Sequence, residues 1–526
     1  MVLKVKLKNY LIVLVYFLCL FLIVLLCNLI SGYNEEQNKK QISNFKPTKS
    51  DLDYYNNLFK KENADVTKIN FWHNLYPEER KILKEIISEF KKDYPGIEVL
   101  EDNKGYWKQI FKSVNSALTV NKQPNLVVSY PDHIGFYHKS DKALSLDEFI
   151  KTDKEFEKET QDQPFFDGYF DTITTDDDKQ GRYYLPFLKT TEIMFYNKDL
   201  LKKVYEHYNN DRGDDTFQDF KTIVDNEGKI IKHTSLTWDE MDTICKQLKK
   251  YKTKDFVPIL VDSESNLFII STKQKEIIYP DNKEKVREFL EDSRTKDIIK
   301  YFHQFSKKDY LTLSKLTGED NIQKIIKDEN IAFYITSTRK IDSLCTIDGF
   351  VPDFTSIPTF DKEKNIIQGS NINLFFSTDK KENYASWFFL KKLISYDVYA
   401  KFLENNKLFN ITRDYFKYTD SSKNEIIHKK NEFINKIKDR IEHSNYPPKL
   451  KQLRQNFFEN FILNNNQQRR QDFFITTVFE KSDFFRNIIT DLFLEILPKT
   501  DIDDDTELDS QIAQELQIAI KRIIAN

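Results

Sequence analysis

The sequence contains little glycine. It has 11 glycines in 526 residues, and no two of them are separated by a single residue. Dinucleotide-binding loops, phosphate-binding P-loops and the nucleophile elbow of serine hydrolases all need closely spaced glycines, because their backbones turn tightly or approach a ligand directly. The sequence therefore excludes these three kinds of site.

An excess of positive charge is also absent. The 80 Lys and Arg residues are balanced by 83 Asp and Glu, so the formal net charge is -3. Binding to a phosphate backbone requires a basic surplus, and we predict no nucleic-acid partner. The eight histidines show no metal-ligand spacing, and H-E-x-x-H does not occur. We therefore predict no metal and no cofactor. The 40% hydrophobic content is that of a globular chain long enough for two domains.

The N-terminus resembles a secretory signal or signal anchor. Three lysines precede an apolar run from Tyr10 to Cys27. A run of ~18 apolar residues is just long enough to cross a bilayer as a helix, and the basic flank is expected to stay in the cytoplasm. We predict a signal anchor or transmembrane helix in residues 1–33 and a polar linker in residues 34–66. The globular part would then lie outside the cell, anchored to its membrane.

The N-terminal segment could be lipidated, cleaved or retained as an anchor. Lipidation at Cys27 is disfavoured because Leu26 is not the small residue that a lipobox requires. Cleavage near Gly32 and retention as an anchor are the other outcomes, and the length of the run favours retention. Cys245 and Cys345 are expected to be ordinary buried thiols, because a domain of this size can bury its core without disulfides.

The first part of the globular region predicts an α/β fold. Lys68–His73 has the pattern of a short strand, and Pro77 follows at a typical first helical position. The helix ends before Gly96, and a second strand begins at Ile97, so the two strands should be parallel with a right-handed crossover. Asn125–Tyr130 is a short apolar run between prolines, typical of a buried parallel strand. From Tyr384 onward the pattern is helix-rich.

Four stretches resemble, in order, the type II substrate-binding proteins, the group that contains the maltose- and glycerol-3-phosphate-binding proteins. The first is INFWH followed by a helix and YPGIEV. The second is YLPFLKTTEIMFYNKD at Tyr184–Asp199, the third LTWDEMDTICKQL at Leu236–Leu248, and the fourth QGSNINLFF at Gln368–Phe376. The fourth match continues through the Trp387–Leu393 helix and Phe402–Thr412, so the four together span nearly all of residues 67–415. The family's G-Y-L-P turn is replaced by KLFN at Lys407–Asn410, and Lys423–Gln471 shows little similarity.

This resemblance implies a two-lobed, type II periplasmic-binding-protein-like fold with a hinge and a solute cleft between the lobes. We expect lobe 1 to comprise residues 67–186 and 336–375, and lobe 2 to comprise residues 187–335 and 376–526. The expected function is that of a solute-binding component of an ABC importer, without enzymatic activity. It would capture a sugar or glycerol phosphate by hinge closure and deliver it to permease subunits in the membrane. We expect a monomer.

The resemblance also implies ligand-binding positions. A sugar site combines aromatic faces with polar groups that pair with the hydroxyls of the ligand. Among the candidates, Lys189 could contact a phosphate or be solvated, Trp72 could pack in the core, and Ser337 could be only a helix cap. We assign Trp107 and Trp238 to the core. The positions carried over from the family are Trp72, His73, Tyr106, Tyr130, Asp132, Lys189, Thr190, Thr191, Ser337, Thr338, Gly369, Ser370, Asn371, Phe479 and Lys481.

Two other functions stay open. A protein of the same fold can serve as an adhesin or a chemosensory receptor. A glycoside hydrolase would need two carboxyl groups about 5–9 Å apart in the cleft. A solute-binding protein predicts a ligand-induced thermal shift and no product, whereas a hydrolase would release product and an adhesin would show no shift with small molecules.

Overall fold

The computed structural model describes residues 45–162, 165, 173–174, 180–209, 215–231, 235–318, 321–404, 424–459 and 472–525, with a few positions before residue 45. The predicted anchor in residues 1–33 lies outside the described residues, apart from Phe21, Leu22 and Leu25. Among the helices that are described, none is long and apolar enough to cross a membrane.

The first core of the molecule surrounds three parallel strands. Strand β1 pairs with β2 along its whole length and with β3 at Phe71 and Trp72, as the strand–helix–strand pattern predicts. Pro77 occupies the first turn of α2, where the Tyr76 N–H donates to the Glu79 carboxylate at 2.8 Å. The elements of this part are α1 (Lys49–Phe59), β1 (Thr67–His73), α2 (Pro77–Asp93), β2 (Ile97–Asn103), α3 (Trp107–Thr119), β3 (Leu126–Ser129), α4 (Ile134–Lys139), α5 (Asp147–Thr152) and α6 (Lys154–Asp162).

The second core lies beneath the other half of the main sheet. Its helix α9 begins at Trp238 because Thr237 and Glu240 cap each other's backbone N–H groups at 3.2 and 2.8 Å. The elements are α7 (Lys198–Tyr208), α8 (Asp215–Ile223), α9 (Trp238–Tyr251), β7 (Ile259–Val261), α10 (Glu264–Gln274), α11 (Lys285–Glu291), α12 (Ser293–Lys307), β8 (Leu311–Leu313), α13 (Ser314–Thr317), α14 (Ile322–Lys327), β9 (Phe333–Ser337), α15 (Ile341–Cys345) and β10 (Pro352–Thr355).

Two long strands join the halves. These are β6 (Leu185–Asn197) and β11 (Asn365–Leu374), and every residue of both is buried. Leu185 of β6 belongs to the first core, whereas Met194 belongs to the second. The main sheet has the order β2-β1-β3-β11-β6-β9-β7-β8, with β10 on β6 and β12 (Phe473–Phe474) on β11. A separate two-stranded sheet contains β4 (Ile173–Thr174) and β5 (Gln180–Gly181). We call the parts around the two cores the first and second lobes, and β6 and β11 the crossing strands.

The C-terminal part is helical, as predicted, but it is divided between the lobes. Trp387 and Phe389 of α16 are buried in the first core, whereas the sequence analysis placed all of 376–526 in lobe 2. The other predicted boundaries stay predictions. Helices α20 and α21 complete the second core, and α18 and α19 cover the outer face of its strands. These helices are α16 (Lys380–Ile394), α17 (Tyr396–Glu404), α18 (Asn424–His443), α19 (Pro448–Phe457), α20 (Ser482–Ile496) and α21 (Asp505–Ala525).

Gly369 allows the crossing strands to bend where they pass between the lobes. The pairing of β11 with β6 shifts register between Gly369 and Asn371, and the φ of Gly369 is +93°. A Cβ atom at this position would overlap the carbonyl oxygen of Leu188 and lie 2.9 Å from the Thr190 nitrogen. Only glycine fits both the positive φ and the close approach of the neighbouring strand.

We predict that Gly369→Ala destabilises the protein by roughly 2–5 kcal/mol, from about 1–2 kcal/mol of backbone strain and about 1–3 kcal/mol of overpacking. Urea unfolding of the full chain measures the change. Gly318→Ala is the matched control, because Gly318 has a φ of +83° but a Cβ there would meet only the Asn321 amide, at 3.3 Å. The control should lose only the backbone contribution. Equal losses in the two variants would show that the contact between the crossing strands is unimportant.

Candidate functional site

A cleft of about 780 Å³ lies between the lobes, where the crossing strands pass from one to the other. Its floor is formed by alternate residues of these strands, namely Leu188, Thr190 and Glu192 of β6 and Gln368 and Ser370 of β11, with Gly369 between the last two. Residues two apart in a strand lie on the same face, so each strand contributes one of its faces to the cleft.

One wall comes from the first lobe and combines aromatic side chains with Lys108, Lys112 and Asn115 of α3. The rings of Trp107 and Tyr130 are 5.3 Å apart with an interplanar angle of 62°, and Phe111 stacks on His133 at 4.4 Å. Burial lowers the pKa of His133 to about 3, so its ring is neutral at physiological pH. Such a wall offers apolar ring faces to the C–H surfaces of a ligand.

The opposite wall is polar and comes from the second lobe. Its side chains follow strands β7 and β9 or lie on α20. They are Asp262, Ser263, Ser265, Asn266, Ser337, Arg339, Lys340, Asp483, Phe484, Arg486, Asn487 and Asp491. Both acidic and basic groups are present, so this wall carries charges of both signs.

Arg486 links the two walls through a buried ion pair. Its Nε donates to Asp132 Oδ2 at 2.5 Å, its Nη1 donates to Asn266 Oδ1, and its guanidinium lies 5.4 Å from the centre of the Tyr130 ring. The side chain of Asp132 is fully buried and that of Arg486 is 13% exposed. Asp132 follows β3 of the first lobe and Arg486 lies on α20, so the pair joins the lobes.

Hydrogen bonds continue from this ion pair along the floor of the cleft. Asn266 Nδ2 donates to Glu192 Oε1 at 2.8 Å, and Gln368 Nε2 donates to the same oxygen at 3.1 Å. The Tyr130 hydroxyl donates to Gln368 Oε1. We call this set of side chains the cleft network; its members are Asp132, Arg486, Asn266, Glu192, Gln368 and Tyr130.

Two carboxyl groups at the cleft hold their protons more tightly than usual. Burial raises the pKa of Glu192 to about 8, opposed by its amide hydrogen bonds and reinforced by Asp262. Burial, followed by repulsion from Asp132, raises the pKa of Asp483 to about 6. Among the described residues, Glu192 Oε2 has no hydrogen-bond partner.

A second contact between the lobes is made by Arg339. Its guanidinium donates two hydrogen bonds to the Glu79 carboxylate, the one from Nε at 3.0 Å, and lies 3.8 Å from the centre of the Tyr76 ring. Glu79 is on α2 of the first lobe and is completely buried, whereas Arg339 follows β9 of the second lobe. The bidentate geometry suits a planar guanidinium and a carboxylate.

Five of the positions predicted from the sequence line this cleft. They are Tyr130, Thr190, Ser337, Gly369 and Ser370. Ser337 is also a cap, since its hydroxyl accepts a hydrogen bond from the Arg339 nitrogen at 3.3 Å. That these residues touch a ligand stays a prediction.

Other predicted positions do not line the cleft, because their side chains lie behind its floor, on the side of the strands that faces away from the cleft. Lys189 and Thr191 flank Thr190 and point away from the floor; Lys189 Nζ donates to Asn371 Oδ1 at 2.5 Å, and the Thr191 hydroxyl donates to the Ile366 carbonyl. Burial lowers the pKa of Lys189 to about 7. Thr338 and Asn371 are buried in the same way behind the floor.

The remaining predicted positions serve the fold around the cleft. Trp72 lies under the Lys104 ammonium at 4.0 Å, and the buried His73 donates to Glu101 at 2.7 Å. Tyr106 is 71% exposed at the start of α3. Three more lie outside the cleft. Asp132 accepts the hydrogen bond from Arg486, and Phe479 is buried in the second core. Lys481 directly precedes the first residue of α20.

The sequence analysis missed most of the polar groups in the cleft. Glu192 and Gln368 could have been found from strand alternation, because each lies two residues from a predicted position on the same strand. Trp107, assigned to the core, lines the cleft while packing against the first core, whereas Trp238 is fully buried as predicted. Arg486 carried no local signal, since it is 354 residues from Asp132 in the sequence.

These features define a class of protein. A mixed α/β sheet divided by two crossing strands, with a polar and aromatic cleft at the crossing, is the architecture of type II periplasmic binding proteins. The chain belongs to the bacterial extracellular solute-binding proteins, whose family model matches residues 85–428. The family predicted from the sequence is thereby confirmed.

Solved structures share this fold over most of the chain. An ABC substrate-binding protein from Listeria monocytogenes in complex with cycloalternan superposes with a TM-score of 0.62 at 15% identity, covering 87% of this chain and 98% of that chain. UgpB from Mycobacterium tuberculosis in complex with glycerophosphocholine gives 0.59 at 13% identity, covering 87% and 100%. At such identities the likeness establishes the fold.

One curated relative matches a shorter stretch. The maltotriose-binding protein of Pyrococcus abyssi is 24% identical over 153 residues, which is 27% of this chain and 30% of that protein. The chain therefore aligns with less than a third of the length of this relative.

We predict that Arg486→Met destabilises the protein by about 3–5 kcal/mol, because it leaves the Asp132 carboxylate buried without its cation. Adding Asp132→Asn to that variant should restore much of the loss, since no uncompensated charge remains. Urea unfolding of the four proteins in a double-mutant cycle measures the coupling. A double variant no more stable than Arg486→Met alone would contradict the role given to the pair.

Proposed function

We propose that this protein is the solute-binding component of an ABC importer and that its cleft binds an uncharged oligosaccharide. The observation that carries the proposal is the composition of the cleft. Aromatic side chains lie on one side of it, and a network of buried hydrogen-bonding groups lies opposite them. Aromatic faces and fixed polar groups together match the alternating C–H and hydroxyl surfaces of a sugar. Its volume of about 780 Å³ suits a ligand of several sugar rings better than glycerol phosphate.

The two arginines of the cleft are already neutralised. Arg486 and Arg339 pair with Asp132 and Glu79, whereas Lys108, Lys112 and Lys340 also line the cleft and belong to none of the ion pairs of the described residues. Lys189, the residue predicted to contact a phosphate, lies behind the floor. A phosphate dianion would in addition approach the carboxyl groups of Asp262 and Asp483, at a cost in repulsion. An uncharged ligand meets no such penalty.

The remaining roles follow from the family and from the N-terminal sequence. We assign the protein no catalytic activity, and we infer that the bound solute is handed to permease subunits in the membrane. We retain the signal anchor in residues 1–33 and a monomeric state as parts of this proposal. Relatives that carry maltotriose or cycloalternan in their names supply the first ligands to test.

Isothermal titration of the full chain with maltotriose, cycloalternan, glycerophosphocholine and glycerol phosphate tests the choice of ligand. We expect a saccharide to bind with micromolar or tighter affinity and the two phosphates to bind at least tenfold more weakly. Chromatography of the ligand after incubation should show it unchanged. Preference for a phosphate would refute the uncharged ligand, and release of product would point to a glycoside hydrolase.

We predict that Trp107→Ala weakens saccharide binding about 10- to 100-fold, which corresponds to roughly 1.4–2.8 kcal/mol, because the ligand loses an aromatic face. Tyr106→Ala is the matched control: it changes the neighbouring aromatic residue, which is exposed and does not line the cleft. Titration calorimetry should find the affinity of the control unchanged. If Tyr106→Ala instead weakens binding more than Trp107→Ala does, the ligand contacts Tyr106, the position predicted from the sequence.

We predict that Arg339→Ala weakens every ligand by a similar factor of about 5- to 20-fold, or roughly 1–2 kcal/mol. Without Arg339, Glu79 would be a buried unpaired carboxylate in the closed protein, and opening of the lobes would rehydrate it. Arg80→Ala, which removes a 2.9 Å ion pair with Glu101 inside the first lobe, should leave affinity unchanged. A loss confined to one ligand would indicate direct contact with that ligand instead.

A further inference from the structure

The side chain of Glu192 is held in one orientation by groups from both lobes. Its Oε1 accepts hydrogen bonds from Asn266 at 2.8 Å and Gln368 at 3.1 Å. The amide of Asn266 cannot turn around, because its oxygen accepts from Arg486. The amide of Gln368 is oriented by the Tyr130 hydroxyl. Two amide N–H groups therefore fix Oε1, and Oε2 is left as the free end of the carboxyl group.

That free end is buried at the edge of the cleft. Glu192 lines the cleft, although only 2% of the residue is exposed, and Oε2 has no hydrogen-bond partner among the described residues. A buried oxygen without a partner costs about 1–3 kcal/mol, unless something else pairs with it. A ligand in the cleft is the natural partner, because the other oxygen of the same carboxyl is already occupied.

The ionisable groups around Glu192 determine whether its carboxyl group is neutral or ionised when a ligand binds. Four ionisable side chains act on Glu192: Asp262 and Tyr130 come from the ends of β7 and β3, Tyr334 from β9, and Arg486 from α20. Arg486 favours the carboxylate, but its charge is shared with the nearer Asp132. Asp262 and the loss of water favour the neutral acid, and the pKa of Glu192 rises to about 8.

We propose that Glu192 is a specificity-determining residue that acts as a neutral carboxylic acid, donating a hydrogen bond from Oε2 to an acceptor oxygen of the bound saccharide. This inference rests on the proposed function, and it names the group that a ligand must offer at the floor of the cleft. An ether or hydroxyl oxygen accepts such a bond. A ligand that carries only a donor at this position leaves two hydrogens facing each other.

The pH dependence of binding follows from the proton balance. Above pH 8, Glu192 loses its proton to solvent, and the donor to the ligand is lost. The contribution of Glu192 to the affinity should therefore be constant below about pH 7 and fall about tenfold between pH 7 and pH 9, because about one molecule in ten retains the proton one unit above the pKa. Asp483, whose pKa is about 6, titrates mainly below this range. Glu192→Gln places an N–H donor in the position of Oε2 and cannot ionise, so it should keep the affinity within about threefold and remove the pH dependence.

Two measurements test the proposal. The first is infrared difference spectroscopy of the ligand-free full chain, which detects the carbonyl stretch of a protonated carboxyl. We expect this band at pH 7, its disappearance as the pH rises through 8, and its absence in Glu192→Gln. An ionised Glu192 at pH 7 would overturn the proposal without any knowledge of the ligand.

The second measurement is titration calorimetry with maltotriose and cycloalternan from pH 6 to pH 9. At pH 7, Glu192→Gln should bind within about threefold of wild type. Glu192→Leu should bind at least tenfold more weakly than wild type does at pH 7, and its affinity should show no fall between pH 7 and pH 9. Glu264→Gln is the matched control, since Glu264 is an equally buried carboxyl on α10 whose partner is Lys315 at 3.5 Å and which does not line the cleft. It should leave both affinity and pH dependence unchanged.

Two calorimetric outcomes would also overturn the proposal. Equal affinity in all the variants would show that Glu192 makes no ligand contact. Weak binding by Glu192→Gln, together with wild-type affinity that rises with pH, would make Glu192 an ionised acceptor. If wild type binds neither saccharide at any pH, the proposed function fails, and the infrared result decides separately whether Glu192 is a neutral donor.

Discussion

The ion pair between Arg486 and Asp132 is the interaction on which the cleft depends. Both charges lie in a low-dielectric interior, where each would be costly alone and where the pair is stable only with further hydrogen bonds. Those bonds come from Asn266, and through it from Glu192 and the rest of the cleft network. Because Asp132 and Arg486 belong to different lobes, the requirement to pair buried charges also sets how the lobes meet.

The crossing strands give this network a rigid base. Both are buried along their whole length and pair with each other, so the floor of the cleft cannot shift independently of the two cores. The bend at Gly369 brings the backbone of β11 close to Leu188 and Thr190 without a side chain between them. The hinge closure proposed for this protein would therefore have to take place at the few residues of the crossing.

Much of the fold could be predicted because its signals are local. The strand–helix–strand unit at Thr67–Asn103 follows from adjacent residues. The crossing strands, in contrast, were recognised through the resemblance of Tyr184–Asp199 and Gln368–Phe376 to the family. The site was only half predictable. A consecutive block such as 189–191 cannot all face a ligand in a strand, and alternation would have replaced Lys189 with Glu192. Arg486 lies beyond the matched family range, and its role depends on a partner 354 residues away, which periodicity and spacing cannot show.

A cleft whose two arginines are compensated in advance selects ligands differently from one in which an arginine is free to bind an anion. Arg486 and Arg339 are each paired across the lobes, so a charged ligand would have to break a buried ion pair before it could bind either of them. An uncharged ligand gains affinity from ring faces and from hydrogen bonds to groups whose orientation is already fixed. Discrimination then rests on whether each donor and acceptor of the ligand finds its complement, because a buried polar group left unpaired costs more than a good contact contributes.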